Sequence, residues 1–121
     1  MASSRYPTFD SYLADLSPAA ADTMRSMVEC VLAQFPELTL KMAWNVPQLQ
    51  CGTQYVMGFS AAKRHLSVSP WSKDVMSAFA DRLAPYEPTD NLFRVPPEWH
   101  PDAALLHDLV RARLAELGEC S

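Results

Sequence analysis

The sequence predicts a single α+β domain in which helices pack on an antiparallel four-stranded sheet. Its 121 residues suit one compact domain, and 49% of them are hydrophobic, which is enough to form a core. Apolar residues recur with helical spacing in some segments and alternate in others, which predicts the order α-α-β-β-β-α-β-α. We assign residues 1–121 to this domain and expect residues 1–6 to form a loose N-terminal segment.

Two helices are predicted before the first strand. Residues 8–16 form a short helix with Thr8 as its N-cap. The second helix begins at Pro18, directly after the cap residue Ser17, and ends before Pro36. Its apolar residues follow the i, i+3, i+4, i+7 rule and are Met24, Met27, Val28, Val31, Leu32 and Phe35.

After the second helix the apolar period changes to two, which predicts three consecutive strands. The residues expected to face the core are Leu38, Leu40, Met42 and Trp44 in the first strand, Tyr55, Met57 and Phe59 in the second, and Leu66 and Val68 in the third. Pro47 is expected to end the first strand, and a turn is expected near Gly52. Short connections favour antiparallel pairing of these strands.

The remaining elements are a helix that begins at Ser69-Pro70 or at Ser72 and ends near Ala84, a fourth strand over 92–95, and a final helix from about Pro101 to Leu117. Gly118 suits the end of that final helix. The chain has ten prolines, and all of them fall at predicted starts, ends or connections. Such a chain is expected to be a rigid scaffold whose function lies on its fixed faces.

Charge and composition exclude several classes of function. A net charge of −4 argues against nucleic acid as a partner, because phosphate binding needs a concentrated basic surface. The three glycines, Gly52, Gly58 and Gly118, form neither a G-x-G-x-x-G turn nor a phosphate loop. The charge-free stretch 42–62 is too polar to span a membrane, and no apolar signal segment occurs at the N-terminus. We therefore expect a cytoplasmic protein with no membrane partner.

The cysteines and histidines do not predict a catalytic or zinc site. Three widely spaced cysteines form no C-x-x-C motif, so reduced thiols are expected. No rule of spacing connects Cys51 with His65. His100 and His107 are separated by two helical turns, too far for both to bind one ion. The absence of a nucleophile motif favours a binding or carrier protein over an enzyme.

A first candidate surface is acidic. Asp22 and Glu29 lie opposite the apolar side of the second helix, with Asp15 before them and Glu37 after them. Hard oxygen ligands on an exposed ridge suit weak, exchangeable binding of iron or another divalent ion. The same charges also suit an ordinary solvated helix face, because a helix of a soluble protein needs a polar side.

A second candidate surface is the sheet face that points away from the core. Strand alternation and the start of the third strand place a set of cationic and polar residues there, namely Lys41, Asn45, Lys63, Arg64, His65, Ser67 and Arg94. Such a set suits a carboxylate or phosphate held by charge-assisted hydrogen bonds. An ordinary solvated sheet face is the alternative. Trp44 and Trp71 are expected to pack in the core or at its rim.

Several segments resemble the YdhG-like family of bacterial proteins. They are Leu40–Pro47, which reads LKMAWNVP, then Phe59–Pro70, then Phe93–Pro96, and the final helix Leu105–Leu117. They cover nearly the whole chain in the family's order. The resemblance implies a frataxin-like α+β sandwich and an association with iron handling, since some members are described as iron chaperones that serve iron–sulfur cluster assembly.

Three functions remain open on the sequence. The resemblance implies a carrier that binds iron weakly and has an iron–sulfur assembly protein as its partner. The cationic sheet face predicts a module that binds a small anionic metabolite. An exposed sheet edge or face also suits a protein-interaction module, so that the chain is expected to be a monomer or a homodimer.

Overall fold

The chain folds into two layers, a five-stranded antiparallel sheet with helices on one of its faces. The computed structural model describes residues 6–118. The helices are α1 (Phe9–Ala14), α2 (Pro18–Gln34), α3 (Lys73–Ala78), α4 (Ala80–Leu83) and α5 (Ala103–Leu117), with a 3-10 turn at Ala84–Tyr86; the strands are β1 (Thr39–Ala43), β2 (Val46–Cys51), β3 (Gln54–Ala61), β4 (Leu66–Ser69) and β5 (Phe93–Val95). The predicted α+β class is confirmed.

The helix boundaries have the capping residues that the sequence indicates. The Thr8 side chain accepts the Ser11 N–H at the start of α1, and Ser17 accepts the Ala20 N–H at the start of α2. The helix predicted to end near Ala84 is instead two short helices, α3 and α4, with a break at Phe79. The predicted start of the last helix moves from Pro101 to Ala103, because Asp102 is its N-cap.

The sheet is a meander in which each strand pairs only with its neighbours in sequence, in the order β1-β2-β3-β4-β5. The prediction of four strands is corrected to five, because β2 forms where the sequence indicates a loop. Pro47 lies within β2, paired with Met42 of β1. The pairing of β2 with β3 begins one residue later, at Gln48, so the missing N–H of the proline removes no bond from that ladder.

Trp44 and Asn45 form the two-residue turn between β1 and β2. Both have positive φ, 59° and 61°, as a type I′ hairpin turn requires. Asparagine tolerates this conformation better than tryptophan does. The expectation that Trp44 packs in the core or at its rim is wrong, because its position in the turn leaves it 73% exposed.

The core lies between the helices and the inner face of the sheet. Helix α2 packs on α5, and α5 packs on β3. Fully buried side chains from both layers meet there, among them Met24, Met27, Leu49, Met57, Phe59, Leu66, Phe93, Leu105, Leu106 and Leu109. Burial of this apolar surface is the main stabilising contribution to the fold.

Two polar contacts join α1 and α2 to the rest of the molecule. The Tyr12 hydroxyl of α1 accepts the Ala61 N–H at the end of β3, at 2.9 Å. The Thr23 hydroxyl of α2 donates to the Pro97 carbonyl, at 2.6 Å. Between residues 6 and 118, no helix has both the length and the apolar character needed to cross a bilayer.

Candidate functional site

The outer face of the sheet, which the helices leave uncovered, contains the most polar groups on the strands. Cross-strand pairs place residues side by side on this face. Lys41 pairs with Gln48, Gln48 with Gly58, and Gly58 with Ser69. A neighbouring row contains Ser60, Ser67 and Arg94. The face is therefore polar, as the sequence predicts, but two of its residues, Gln48 and Gln50, are buried.

Gln48 is buried because Trp71 lies over it. The indole Nε1–H donates to Gln48 Oε1 at 2.9 Å, and Gln48 is only 3% exposed. Trp71 is held in this position by stacking on Tyr55, with ring centroids 4.8 Å apart. Its φ of 58° lies in the left-handed region, which tryptophan rarely adopts. Strain of this kind persists where surrounding contacts fix the residue.

Gly58 provides the space that the Gln48 side chain occupies. A Cβ atom on Gly58 would lie 3.1 Å from Gln48 Cδ and 3.2 Å from Nε2, and still closer to Oε1. Only glycine lets the carboxamide lie across β3 at this point. Gln48, Gly58 and Trp71 thus form one packed unit, which lines a groove of about 90 Å³ together with Ser60, Ser67 and Ser69.

The structure separates the two ends of the predicted cationic face. Lys41 is on β1 and Arg94 is on β5, the two edge strands of the sheet. With neighbouring strands about 4.8 Å apart, four strand spacings amount to roughly 19 Å. One small anion cannot contact both residues.

Arg64, His65 and Arg94 do come together, around a pocket of about 270 Å³ at the β3–β4 turn. Ser67 lies beside Arg94 as its cross-strand partner. The pocket also contains Glu87, whose Oε1 is 3.9 Å from Arg94 Nη1. Two guanidinium groups and one carboxylate leave this pocket with a net positive charge. Its chemistry suits an anion that competes with Glu87 for Arg94.

Asn45 and Lys63 lie in a different place, an open cleft of about 550 Å³ at the end of the sheet. The exposed Trp44 and Asp15 line the same cleft. The Tyr6 hydroxyl donates to Asp15 Oδ2 at 2.7 Å, and its ring packs edge-on against Tyr12. The seven residues of the predicted cationic face are thus divided: Arg64, His65 and Arg94 line the pocket, Asn45 and Lys63 line the cleft, Ser67 lines the groove over Gly58, and Lys41 lies apart on the edge strand β1.

Asp22 and Glu29, the predicted metal ligands, are both exposed on α2. Seven residues of helix separate them by roughly 10 Å along the axis. Asp22 Oδ1 already accepts a hydrogen bond from Arg25 at 3.2 Å. Within residues 6–118, no three histidine, cysteine, aspartate or glutamate side chains are grouped so that they could hold a metal ion. Asp22 and Glu29 therefore cannot bind the same ion. Each could act only as a single protein ligand at an open site of its own.

His107 fixes α5 to α2. Its Nε2 lies 2.9 Å from the Cys30 carbonyl oxygen and 3.4 Å from Cys30 Sγ. Its ring packs edge-on against Phe35. Burial raises the pKa of the Cys30 thiol, so this cysteine is not an activated nucleophile. This contact between helices gives His107 a structural role.

Cys51 departs from the expectation of reduced thiols. It is buried at the end of β2 and is disulfide-bonded, whereas Cys30 has a free thiol. The expectation is wrong for Cys51, because wide spacing in the sequence does not prevent cysteines from meeting in a fold.

Sequence reasoning missed Gln48. Gln48 is in a segment predicted to be a loop, and nothing in a glutamine next to Pro47 indicates burial. The one available signal was Gly58, an isolated glycine in the middle of a predicted strand. Such a glycine often marks a close approach to its backbone.

Together the fold and these surfaces define a small two-layer α+β scaffold with open polar pockets. No family model matches the sequence. A curated relative described as the intracellular iron chaperone frataxin, from Bacillus subtilis (strain 168), is 26% identical over 115 residues, which cover 93% of this chain and 94% of that protein.

Comparison with solved structures extends this similarity to the fold. The crystal structure of YdhG, a protein of the DUF1801 family from Bacillus subtilis, has a TM-score of 0.85 at 27% identity and covers 93% of both chains. An uncharacterized conserved protein from Lactobacillus casei ATCC 334 has a TM-score of 0.62 at 25% identity, covering 94% of this chain and 95% of its own. The predicted resemblance to the YdhG-like family is therefore confirmed, in sequence along the chain and in fold.

Proposed function

We propose that this chain is a small cytoplasmic carrier that binds iron weakly and passes it to a protein partner, such as one that assembles iron–sulfur clusters. The observation that carries the proposal is the similarity to the Bacillus subtilis iron chaperone, which extends over 93% of this chain and 94% of that relative. A likeness spread along both chains favours a shared role more than one confined to a single motif would.

The exposed carboxylates of α2 are the ligands that we assign to the iron. Asp22 and Glu29 are hard oxygen donors, which suit iron when it is not held by thiolates. Each contributes to an open site in which water completes the coordination shell. An ion held by one carboxylate dissociates readily, and a carrier needs that property in order to release its cargo.

The experiment is an anaerobic titration with iron(II), followed by broadening of backbone amide signals in NMR spectra. Saturable broadening is expected around Asp22 and Glu29, and it should disappear in the double variant Asp22→Asn, Glu29→Gln. The matched control is Asp81→Asn, Glu98→Gln, which removes the same charge from exposed sites elsewhere. The iron proposal fails if millimolar iron produces no saturable effect, or if both double variants respond like the parent chain.

A second function, binding of a small anion, is favoured by one specific observation. Support for it comes from Arg64, His65 and Arg94, which line one pocket of about 270 Å³. Guanidinium groups bind carboxylate and phosphate oxygens through paired hydrogen bonds. The Glu87 carboxylate is 3.9 Å from Arg94, so a bound anion that approaches Arg94 more closely can replace Glu87 as its partner.

Titration with inorganic phosphate and with citrate tests this second function. Amide signals of residues 64, 65 and 94 should shift saturably, and the shifts should be lost in Arg94→Gln. Lys41→Gln removes an equal charge from the opposite edge of the sheet and should change nothing. Shifts that persist in Arg94→Gln, or that Lys41→Gln removes equally well, contradict a site at this pocket.

A further inference from the structure

The groove over Gly58 is separate from the α2 carboxylates and from the arginine pocket. It is lined by Val46, Gln48, Gly58, Phe59, Ser60, Ser67, Ser69, Trp71 and Leu92. Its volume is about 90 Å³. A water molecule occupies roughly 30 Å³ in the liquid, so the groove has room for a ligand portion of a few non-hydrogen atoms.

The Trp71 indole determines which way the Gln48 carboxamide points. An indole N–H is a donor only, so the carboxamide atom that it contacts at 2.9 Å must be the oxygen. The amide nitrogen Nε2 is then on the other side of the carboxamide. It carries two N–H donors, and Trp71 engages neither of them.

These donors are unused. Gln48 makes no side-chain hydrogen bond with residues 6–118 besides the one from Trp71. None of the fully buried side-chain nitrogen or oxygen atoms in that range lacks a partner, so Nε2 must reach an accessible surface. Since Gln48 is 97% buried and lines the groove, that surface is the groove. A polar group placed this way is available to a ligand.

Two serine hydroxyl groups lie near the Gln48 carboxamide in the same groove. Ser60 and Ser67 are a cross-strand pair on β3 and β4, and neither hydroxyl bonds to another residue in the described part of the chain. The Ser69 hydroxyl, by contrast, has two partners: it donates to the Asn91 carbonyl and accepts a hydrogen bond from the backbone N–H of Trp71. The groove thus offers amide donors on one side and hydroxyls, which both donate and accept, on the other.

The lining determines the charge of the ligand. No ionisable side chain lines this groove, and Arg94, the cross-strand neighbour of Ser67, lines the separate pocket against Glu87, so an anion or cation in the groove would have no direct counter-charge and would be costly to bind. We propose that the groove binds the carbonyl group of a small uncharged compound, an amide in particular, with the carbonyl oxygen accepting from Gln48 Nε2 and the amide N–H groups donating to the serine hydroxyls. Val46, Leu92 and the Trp71 ring surround its apolar part.

The site is rigid before the ligand arrives. Trp71 stacks on Tyr55, and the Tyr55 carbonyl accepts from Arg113 Nε at 3.0 Å. The Gln48 carboxamide is held between Trp71 and Gly58. Binding therefore orders little of the protein, which favours even a small ligand. A second depression of about 380 Å³ shares Ser69 and Trp71 and gives room for the rest of a larger compound.

The test uses acetamide and acetate, which have the same shape and differ in charge. Each is titrated into the full chain while the Gln48 side-chain amide and the Trp71 indole signals are followed in NMR spectra. Acetamide should shift the Gln48 signals saturably in the millimolar range, and acetate should not. Equal or tighter binding of acetate, or no saturable shift with either compound, overturns the proposal.

Two variants locate the binding. Gln48→Glu keeps an oxygen that can accept from Trp71 but replaces the amide donors, and it should weaken acetamide binding about tenfold or more. Gln50→Glu is the matched control, because Gln50 is a buried glutamine of the same strand that does not line the groove, and it should bind acetamide normally. Ser67→Ala should also weaken binding and does not depend on how Gln48→Glu folds. Binding that survives both Gln48→Glu and Ser67→Ala overturns the assignment.

Discussion

Replacement of Gly58 by alanine tests the packing between Gln48 and Trp71. The new methyl group would lie 3.1 Å from Gln48 Cδ and 3.2 Å from Nε2, with Oε1 nearer still. The nearest atoms all belong to the planar carboxamide, which cannot shift without leaving Trp71. We therefore expect the alanine to displace the carboxamide and to break the 2.9 Å hydrogen bond from the indole.

The expected change in the free energy of unfolding follows from two opposing effects. Loss of a buried hydrogen bond costs ~1 kcal/mol, and crowding by an added methyl group typically costs ~1–3 kcal/mol. Gly58 does not have a positive φ, so alanine fits the backbone there and recovers ~0.4–1 kcal/mol through the unfolded state. The balance is a destabilisation of ~1–3.5 kcal/mol.

Urea unfolding, followed by tryptophan fluorescence, measures this value. The double-mutant cycle with Gln48→Ala is decisive, because in that background the methyl group meets no carboxamide and the cost should disappear. Gly52→Ala is the control, since Gly52 has a φ of 62° and open space around it, so its backbone cost should be independent of Gln48. If Gly58→Ala leaves the free energy of unfolding unchanged or raises it while Gln48 is present, this account of the packing is refuted.

Three further predictions concern contacts away from the groove. Tyr12→Phe should lower the free energy of unfolding by ~1–2 kcal/mol, since the Ala61 N–H loses its acceptor; unchanged urea midpoints would contradict this. Trp44→Asn should raise it by up to ~1 kcal/mol in the same assay, because asparagine adopts a positive φ more readily. The hydrogen bond from Arg82 lowers the pKa of Asp108 in the folded state. The ionised Asp108 should therefore stabilise the fold above the usual aspartate pKa, and this stabilisation should be lost as the pH falls through the pKa of the folded state. Urea midpoints of Asp108→Asn should depend less on acid pH than those of the parent chain.

The helices and the core could be predicted because their signals are local. The residues of α2 that the spacing rule selects include Met24, Met27, Val28 and Val31, and all four are buried. Ser17 and Thr8 cap the helices that they are expected to cap. An amphipathic helix can be recognised from the spacing of apolar residues within its own segment. The elements packed against it therefore rarely change the prediction.

Strand β2 could not be predicted from its own residues. It contains Pro47, and its outer side presents Gln48 and Gln50, which resemble loop residues in a single sequence. The turn before it is Trp44-Asn45 rather than the Asn-Gly pair that usually indicates a type I′ hairpin. The strand forms because its two neighbours supply ladders on both sides, a property of the assembled sheet and not of the segment.

The unrecognised strand also explains part of the difference between the predicted cationic face and the arrangement of residues in the structure. The prediction places the β1 and β5 cations on one sheet face as a single anion site, although three strand spacings, roughly 14 Å, would separate them even in a four-stranded sheet. Insertion of β2 moves Lys41 one strand further from Arg94 and places Gln48 in the row that joins Lys41 to Gly58 and Ser69. The same strand that separates the charges therefore supplies the buried amide. On this face the uncharged groups, which are fixed by packing, are better placed to select a ligand than the charged ones, which solvent surrounds and screens.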